Sequence, residues 1–168
     1  MERSVRHGDF ALASGQRSSY YIDCRPTTMS AEGMVLIGRL GLEAIRGKGW
    51  RPRAVGGLTM GADPVAYAIA AASYGTDVQM DAFSVRKEAK EHGTGQGIEG
   101  NFSPGVEVVI VEDVITTGGS ARKAIAAVEA AGGKVLGVLA VVERGRGGLD
   151  GEGREVMPLL RSGDVGLE

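Results

Sequence analysis

Apolar and polar positions fall into blocks along this chain, and the period of the blocks changes in a regular order. Phe10 and Leu12 are followed by the turn-prone run Ser14-Gly15-Gln16-Arg17 and then by Tyr20-Tyr21-Ile22, which predicts a hairpin over residues 10–25. Ser30 is a candidate helix N-cap, with Glu32 well placed in the first turn. Val35, Leu36, Leu40 and Ile45 then make an apolar helical face that ends near Gly47. Residues 54–58 predict a short strand, 64–73 an alanine-rich helix and 78–85 a second strand. Residues 86–104 are polar, charged and glycine-rich, and they read as a long loop of the kind that often serves as a lid or binding segment. An almost unbroken β-branched run at 106–111 marks a strand buried on both faces. Ala121, Ala124, Ile125, Val128 and Ala131 share one helical face closed by Gly132-Gly133, and residues 135–142 form another apolar strand. A last edge strand is expected at 156–160, after a surface turn at 145–153. Strands alternating with helices imply β-α-β units on a mainly parallel sheet, so the fold class is α/β.

Composition adds bounds. The 168 residues suit one compact domain, and 43% hydrophobic with 24% charged residues is the profile of a soluble globular protein. The formal net charge of -2 gives no reason to expect a nucleic-acid or membrane partner, so an anionic ligand has to be held by local basic groups. No apolar run reaches the roughly 20 residues needed to span a bilayer, and no signal peptide opens the chain, so a cytoplasmic location is expected. The single cysteine, Cys24, reads as a small semi-buried thiol, and no Cys/His spacing suggests a bound metal. Glycine is the outlier, with 28 of 168 residues against a typical share of roughly 7%. The glycines gather at the ends of apolar segments, where the backbone turns tightly or approaches a ligand.

The most informative segment is Val108-Val109-Ile110-Val111-Glu112-Asp113-Val114-Ile115-Thr116-Thr117-Gly118-Gly119-Ser120. A buried strand delivers two adjacent acids to its carboxyl end, the side on which open α/β sheets bind ligands. A turn of hydroxyl and glycine residues follows and opens a helix, which makes an anion nest of backbone N–H groups. Thr116, Thr117 and Ser120 add hydroxyl donors, while the acids suit vicinal hydroxyls better than a phosphate. A sugar phosphate satisfies both halves. The spacing is neither that of a P-loop nor that of a dinucleotide fingerprint. The plainer alternative is a tight strand-to-helix turn with Asp113 as its cap.

This segment resembles the phosphoribosyl pyrophosphate (PRPP) motif of the type I phosphoribosyltransferase family. The resemblance implies that family's fold, a mainly parallel central sheet flanked by helices with a small N-terminal hood or hairpin. It assigns the ribose hydroxyls to Glu112 and Asp113 and the 5′-phosphate to the turn from Thr116 to Ser120, with Val114 and Ile115 completing the PRPP-binding stretch. Within the family, Arg86-Lys87-Glu88-Ala89-Lys90-Glu91-His92-Gly93 resembles the mobile catalytic loop of orotate phosphoribosyltransferases. Arg86, Lys87, Lys90 and His92 then bind PRPP and stabilise the departing pyrophosphate, and closure of the loop keeps water out. The alternative for that loop is a solvated charged segment, since Glu88 and Glu91 offset two of its cations.

Two further stretches resemble the same family. Residues 10–23 are similar to its hairpin, where Tyr20 and Tyr21 face the pyrimidine, plain strand packing being the alternative. Residues 57–64 are similar to its pyrophosphate-binding turn. Arg144, after Val142-Glu143, matches a position whose arginine grips the orotate carboxylate, and Thr116 is the other orotate contact. The resemblance implies a single domain over 1–168, with a hood at 1–28 and a mobile loop at 86–104. It also implies Mg²⁺ carried by PRPP oxygens and water, orotate and PRPP as small-molecule substrates, and a homodimer. The chain departs from the family at Ala13 and Met60, where many relatives carry lysine, and in having few residues before Gly8. Rival readings are a purine or uracil phosphoribosyltransferase, against which the basic loop and Arg144 argue, and a PRPP-sensing regulator, against which the intact basic loop and the slightly acidic net charge argue. A third is a degenerate paralogue made inactive by the short N-terminus.

Overall fold

The computed structural model describes residues 3–11, 15, 17–88, 97–145, 149 and 153–167. An antiparallel hairpin comes first, β1 (Val5–Ala11) against β2 (Arg17–Ile22), and the short helix α1 (Arg25–Thr28) follows it. The chain continues through α2 (Ala31–Gly47), β3 (Ala54–Leu58), α3 (Ala62–Ser73), β4 (Asp81–Val85) and β5 (Ile98–Gly100). β6 (Glu107–Ile115), α4 (Gly119–Ala130), β7 (Lys134–Glu143), β8 (Val156–Arg161) and a 3₁₀ turn (Ser162–Val165) complete it. The main sheet has the order β5-β4-β3-β6-β7-β8, with every pairing parallel except that of β5.

Period-2 alternation along β6 divides the interior into two layers. Val109 and Val111 join Val55, Leu139 and the buried faces of α2 and α3, whereas Val108 and Ile110 join Phe83, Val138 and the buried face of α4. Ser30 caps α2 as expected, its hydroxyl accepting from the Gly33 amide at 3.1 Å. No helix among the described residues is long and apolar enough to cross a membrane.

Two expectations are corrected. The buried face of α2 is Ile37, Gly38, Gly41, Leu42 and Ile45. Of the four residues read as its apolar face, only Ile45 is inside, and Val35, Leu36 and Leu40 are 53%, 49% and 51% exposed. The reason is backbone proximity. A Cβ on Gly38 would stand 2.4 Å from the Ala68 carbonyl oxygen of α3, and one on Gly41 would stand 2.6 Å from Ile69 Cδ1. The inner face is therefore built on glycines, which a hydrophobic pattern does not count. The second correction concerns the polar stretch 86–104. It contains β5, which pairs antiparallel with β4, Val85 opposite Ile98.

Candidate active site

The connections of the sheet diverge between β3 and β6. β3 leads through α3 to β4 on one side, and β6 leads through α4 to β7 on the other. Strand ends at such a switch point leave a crevice that binds ligands. A cleft of about 1580 Å³ opens there, lined by Leu58 to Gly61 after β3, by the end of β6 and its turn, and by β2 of the hairpin. A smaller hollow of about 290 Å³ is formed by residues 114–121 with Glu112 and Lys123.

The acid pair sits inside β6, which runs to Ile115, four residues beyond the apolar run. Glu112 is 5% exposed, and its Oε1 has no hydrogen-bond partner among the described residues. Burial, then the charge of Asp113, pushes its carboxyl up to about 8, with Lys87 acting in the opposite sense. Asp113 is also raised by burial, and the Val114 amide donating to its Oδ1 at 2.8 Å offsets part of that effect. An unpaired buried carboxyl oxygen is costly unless a ligand completes it, and a ligand bearing hydroxyl groups would supply the missing donors. Past β6, Gly118 enters α4 with φ of 77°. Arg122 Nη1 braces the turn by donating to the Thr117 carbonyl at 2.6 Å. Thr116, Thr117, Gly118, Gly119 and Ser120 all border the smaller hollow, which has the size and the donors for a phosphate group.

Arg144 follows the last residue of β7, where its amide donates to the Ile115 carbonyl at 2.7 Å and ties the ends of β6 and β7 together. Its guanidinium carbon lies 4.3 Å from the centroid of the Tyr20 ring, and its Nη2 donates to Ser18 Oγ at 2.5 Å. Tyr20 is only 7% exposed, so it is not the open stacking surface that the sequence suggests. Tyr21, the next residue of β2, also lines the cleft. It is 42% exposed and touches Phe10, with ring centroids 5.7 Å apart.

The four loop cations divide. Lys87 lines the cleft, whereas Arg86 is engaged by Glu99 across β4 and β5, its Nε donating at 2.8 Å. Lys90 and His92 lie outside the described residues, as does Ala13. Met60 is exposed on the cleft wall. Cys24 is buried and its thiol is pushed up to about 12, first by burial and then by Asp113 and Asp23, which fits an inert packing role.

Sequence reasoning missed several residues lining the cleft. These are Ser18, the ion pair of Asp23 with Arg25 (Nε to Oδ1, 2.8 Å), and Arg161 with the turn after it. Arg161 Nη1 stands 3.4 Å from the buried Glu143 carboxylate. No local period points to such residues, because their partners are distant in the chain or their types are ordinary on a surface.

A crevice that offers hydroxyl acceptors beside an anion nest is that of a phosphoribosyltransferase, and residues 31–157 match the family described as Phosphoribosyl transferase domain. An orotate phosphoribosyltransferase of Rhodopirellula baltica is 46% identical over 172 residues, covering 98% of this chain and 89% of that protein. The crystal structure of the Mycobacterium tuberculosis orotate phosphoribosyltransferase with Fe(III) dicitrate superimposes with a TM-score of 0.84 at 43% identity, covering 99% of this chain and 94% of that one. The same enzyme in complex with PRPP gives a TM-score of 0.75 at 40% identity, covering 86% of this chain and 82% of that one. The chain belongs to the phosphoribosyltransferase family and, within it, to the orotate phosphoribosyltransferases.

Proposed function

We propose that this enzyme, a pentosyltransferase, joins orotate to PRPP, giving orotidine 5′-monophosphate and pyrophosphate in pyrimidine nucleotide synthesis. The carrying observation is the buried Oε1 of Glu112, without a hydrogen-bond partner among the described residues, beside the hollow formed by residues 114–121. In this reading Glu112 and Asp113 accept the ribose hydroxyls. Residues 114–120 hold the 5′-phosphate through backbone N–H groups and the hydroxyls of Thr116, Thr117 and Ser120. Arg144 pairs with the orotate carboxylate through its planar fork, and Thr116 and Tyr21 complete the base site. N1 of orotate bonds to C1 of the ribose as the bond to pyrophosphate breaks, and the proton on N1 passes to an oxygen of the departing pyrophosphate. Lys87, with Lys90, His92 and Arg86 from the loop, offsets the charge building on the leaving group.

Mg²⁺ fits this site as an ion brought in on substrate oxygens. Among the described residues no group of three His, Cys, Asp or Glu side chains is gathered to hold a metal, while Glu112 Oε1 is available to a ribose hydroxyl or a metal-bound water. The chemistry such an ion would supply when bound is neutralisation of charge on the pyrophosphate. The protein works as a cytoplasmic homodimer in this reading, and the exposed apolar face of α2 supports the dimer. The test is a base panel with PRPP and Mg²⁺, followed by ultraviolet absorbance. Orotate is consumed and uracil and hypoxanthine are not; turnover of either control with orotate untouched would overturn the proposal.

A further inference from the structure

Arg144 differs from the other arginines of this cleft. Arg17, Arg25 and Arg161 also line it, yet each has a carboxylate partner, Asp9, Asp23 and Glu143 respectively. Among the described residues no carboxylate pairs with Arg144. It is held instead by two neutral groups of β2. The Tyr20 ring lies under the guanidinium at 4.3 Å, and Ser18 Oγ accepts from Nη2 at 2.5 Å. Both holders are themselves fixed. Ser18 Oγ donates to the Tyr20 carbonyl at 2.7 Å, and the buried Tyr20 hydroxyl donates to the Leu167 carbonyl at 3.4 Å, just past the 3₁₀ turn. A cation supported by a π face and a hydroxyl keeps its full charge for an incoming anion. A carboxylate partner would neutralise it and compete for the same N–H groups.

We propose that Ser18 and Tyr20 are positioning residues that hold the Arg144 fork preformed and uncompensated, and so set affinity for a substrate carboxylate without touching substrate. This rests on the reading of Arg144 as the carboxylate contact. It gives the hairpin a share in base selection, although Ser18 lies 126 positions from Arg144 in the chain.

The experiment is steady-state kinetics on Ser18→Ala, Tyr20→Phe, Tyr20→Leu and Arg144→Ala, each alone, and on Ser18→Ala combined with Arg144→Ala. Ser18→Ala and Tyr20→Leu should raise the KM for orotate about threefold to thirtyfold, with kcat and the KM for PRPP within about twofold of the parent. Tyr20→Phe keeps the ring and should keep the parent KM for orotate. In the Arg144→Ala background, Ser18→Ala should add nothing. If Arg144→Ala raises the orotate KM while Ser18→Ala leaves it unchanged, the positioning role is overturned and the base-site reading stands. If Arg144→Ala itself leaves the orotate KM unchanged, the base-site reading falls and takes this inference with it. Should Tyr20→Leu fail to fold, Ser18→Ala and the double variant still decide.

Discussion

Replacing Glu112 by Gln should stabilise the fold and weaken PRPP binding at the same time. The carboxyl is raised from 4.5 to about 8 in the folded chain, chiefly by burial. An acid that ionises less readily when folded contributes its full stability only below about pH 4.5, and that stability is lost as pH rises toward about 8. Each pH unit in this window is worth about 1.36 kcal/mol. Integrated, retaining the ionisable group costs about 1 kcal/mol at pH 5 and about 4 kcal/mol at pH 7.5. Glutamine has nearly the same shape and no titration, so the advantage of Glu112→Gln over the parent should grow by about 3 kcal/mol across that interval. In a chain of this size the change corresponds to a melting-temperature difference of about 6–12 °C. Denaturant unfolding of both proteins at the two pH values measures it, and titration with PRPP and Mg²⁺ gives the affinity. A stability difference that stays flat between pH 5 and pH 7.5 would refute the buried-charge argument. Such a trade is expected where a site keeps a polar group unsatisfied until its ligand arrives.

Lys90→Ala should lower kcat by about a hundredfold to a thousandfold with an unchanged melting curve, and near-parental turnover would remove the loop from the mechanism. In Gly61→Ala the new Cβ would stand 2.7 Å from Asp113 Oδ1. Displacement of that carboxylate should raise the KM for PRPP severalfold, and an unchanged PRPP titration would count against Asp113 as a ribose contact. Leu36→Glu combined with Leu40→Glu alters side chains about half exposed in the single chain. The pair should convert dimer to monomer in light scattering with the fold retained, and a persistent dimer would place the interface elsewhere.

Much of the fold was legible because it is local. β3 is the strand read from residues 54–58, since a five-residue apolar run between polar flanks has few other uses in an α/β chain. The acid pair and glycine turn were legible because their chemistry is consecutive in sequence. The inner face of α2 was not, because Gly38 and Gly41 lie there for lack of space, and the apolar side chains left over face outward. β5, three residues long, is too short to show a period in a polar segment. The setting of Arg144 was hidden for another reason. Its partner Ser18 is 126 residues away, and Tyr20 is 147 residues from Leu167. Such pairings are properties of the folded chain and leave no mark on local pattern. They also explain why Tyr20 reads as a base-stacking residue in sequence and lies beneath an arginine in structure.

Transfer of a phosphoribosyl group to orotate is the reaction proposed for this crevice. The most direct measurement follows orotate loss and pyrophosphate release together in one reaction containing PRPP and Mg²⁺, with the nucleotide product identified by mass. One pyrophosphate should be released for each orotate consumed, with a product of the mass of orotidine 5′-monophosphate. Pyrophosphate released without loss of orotate would contradict it, since PRPP would then be reacting with water or another acceptor.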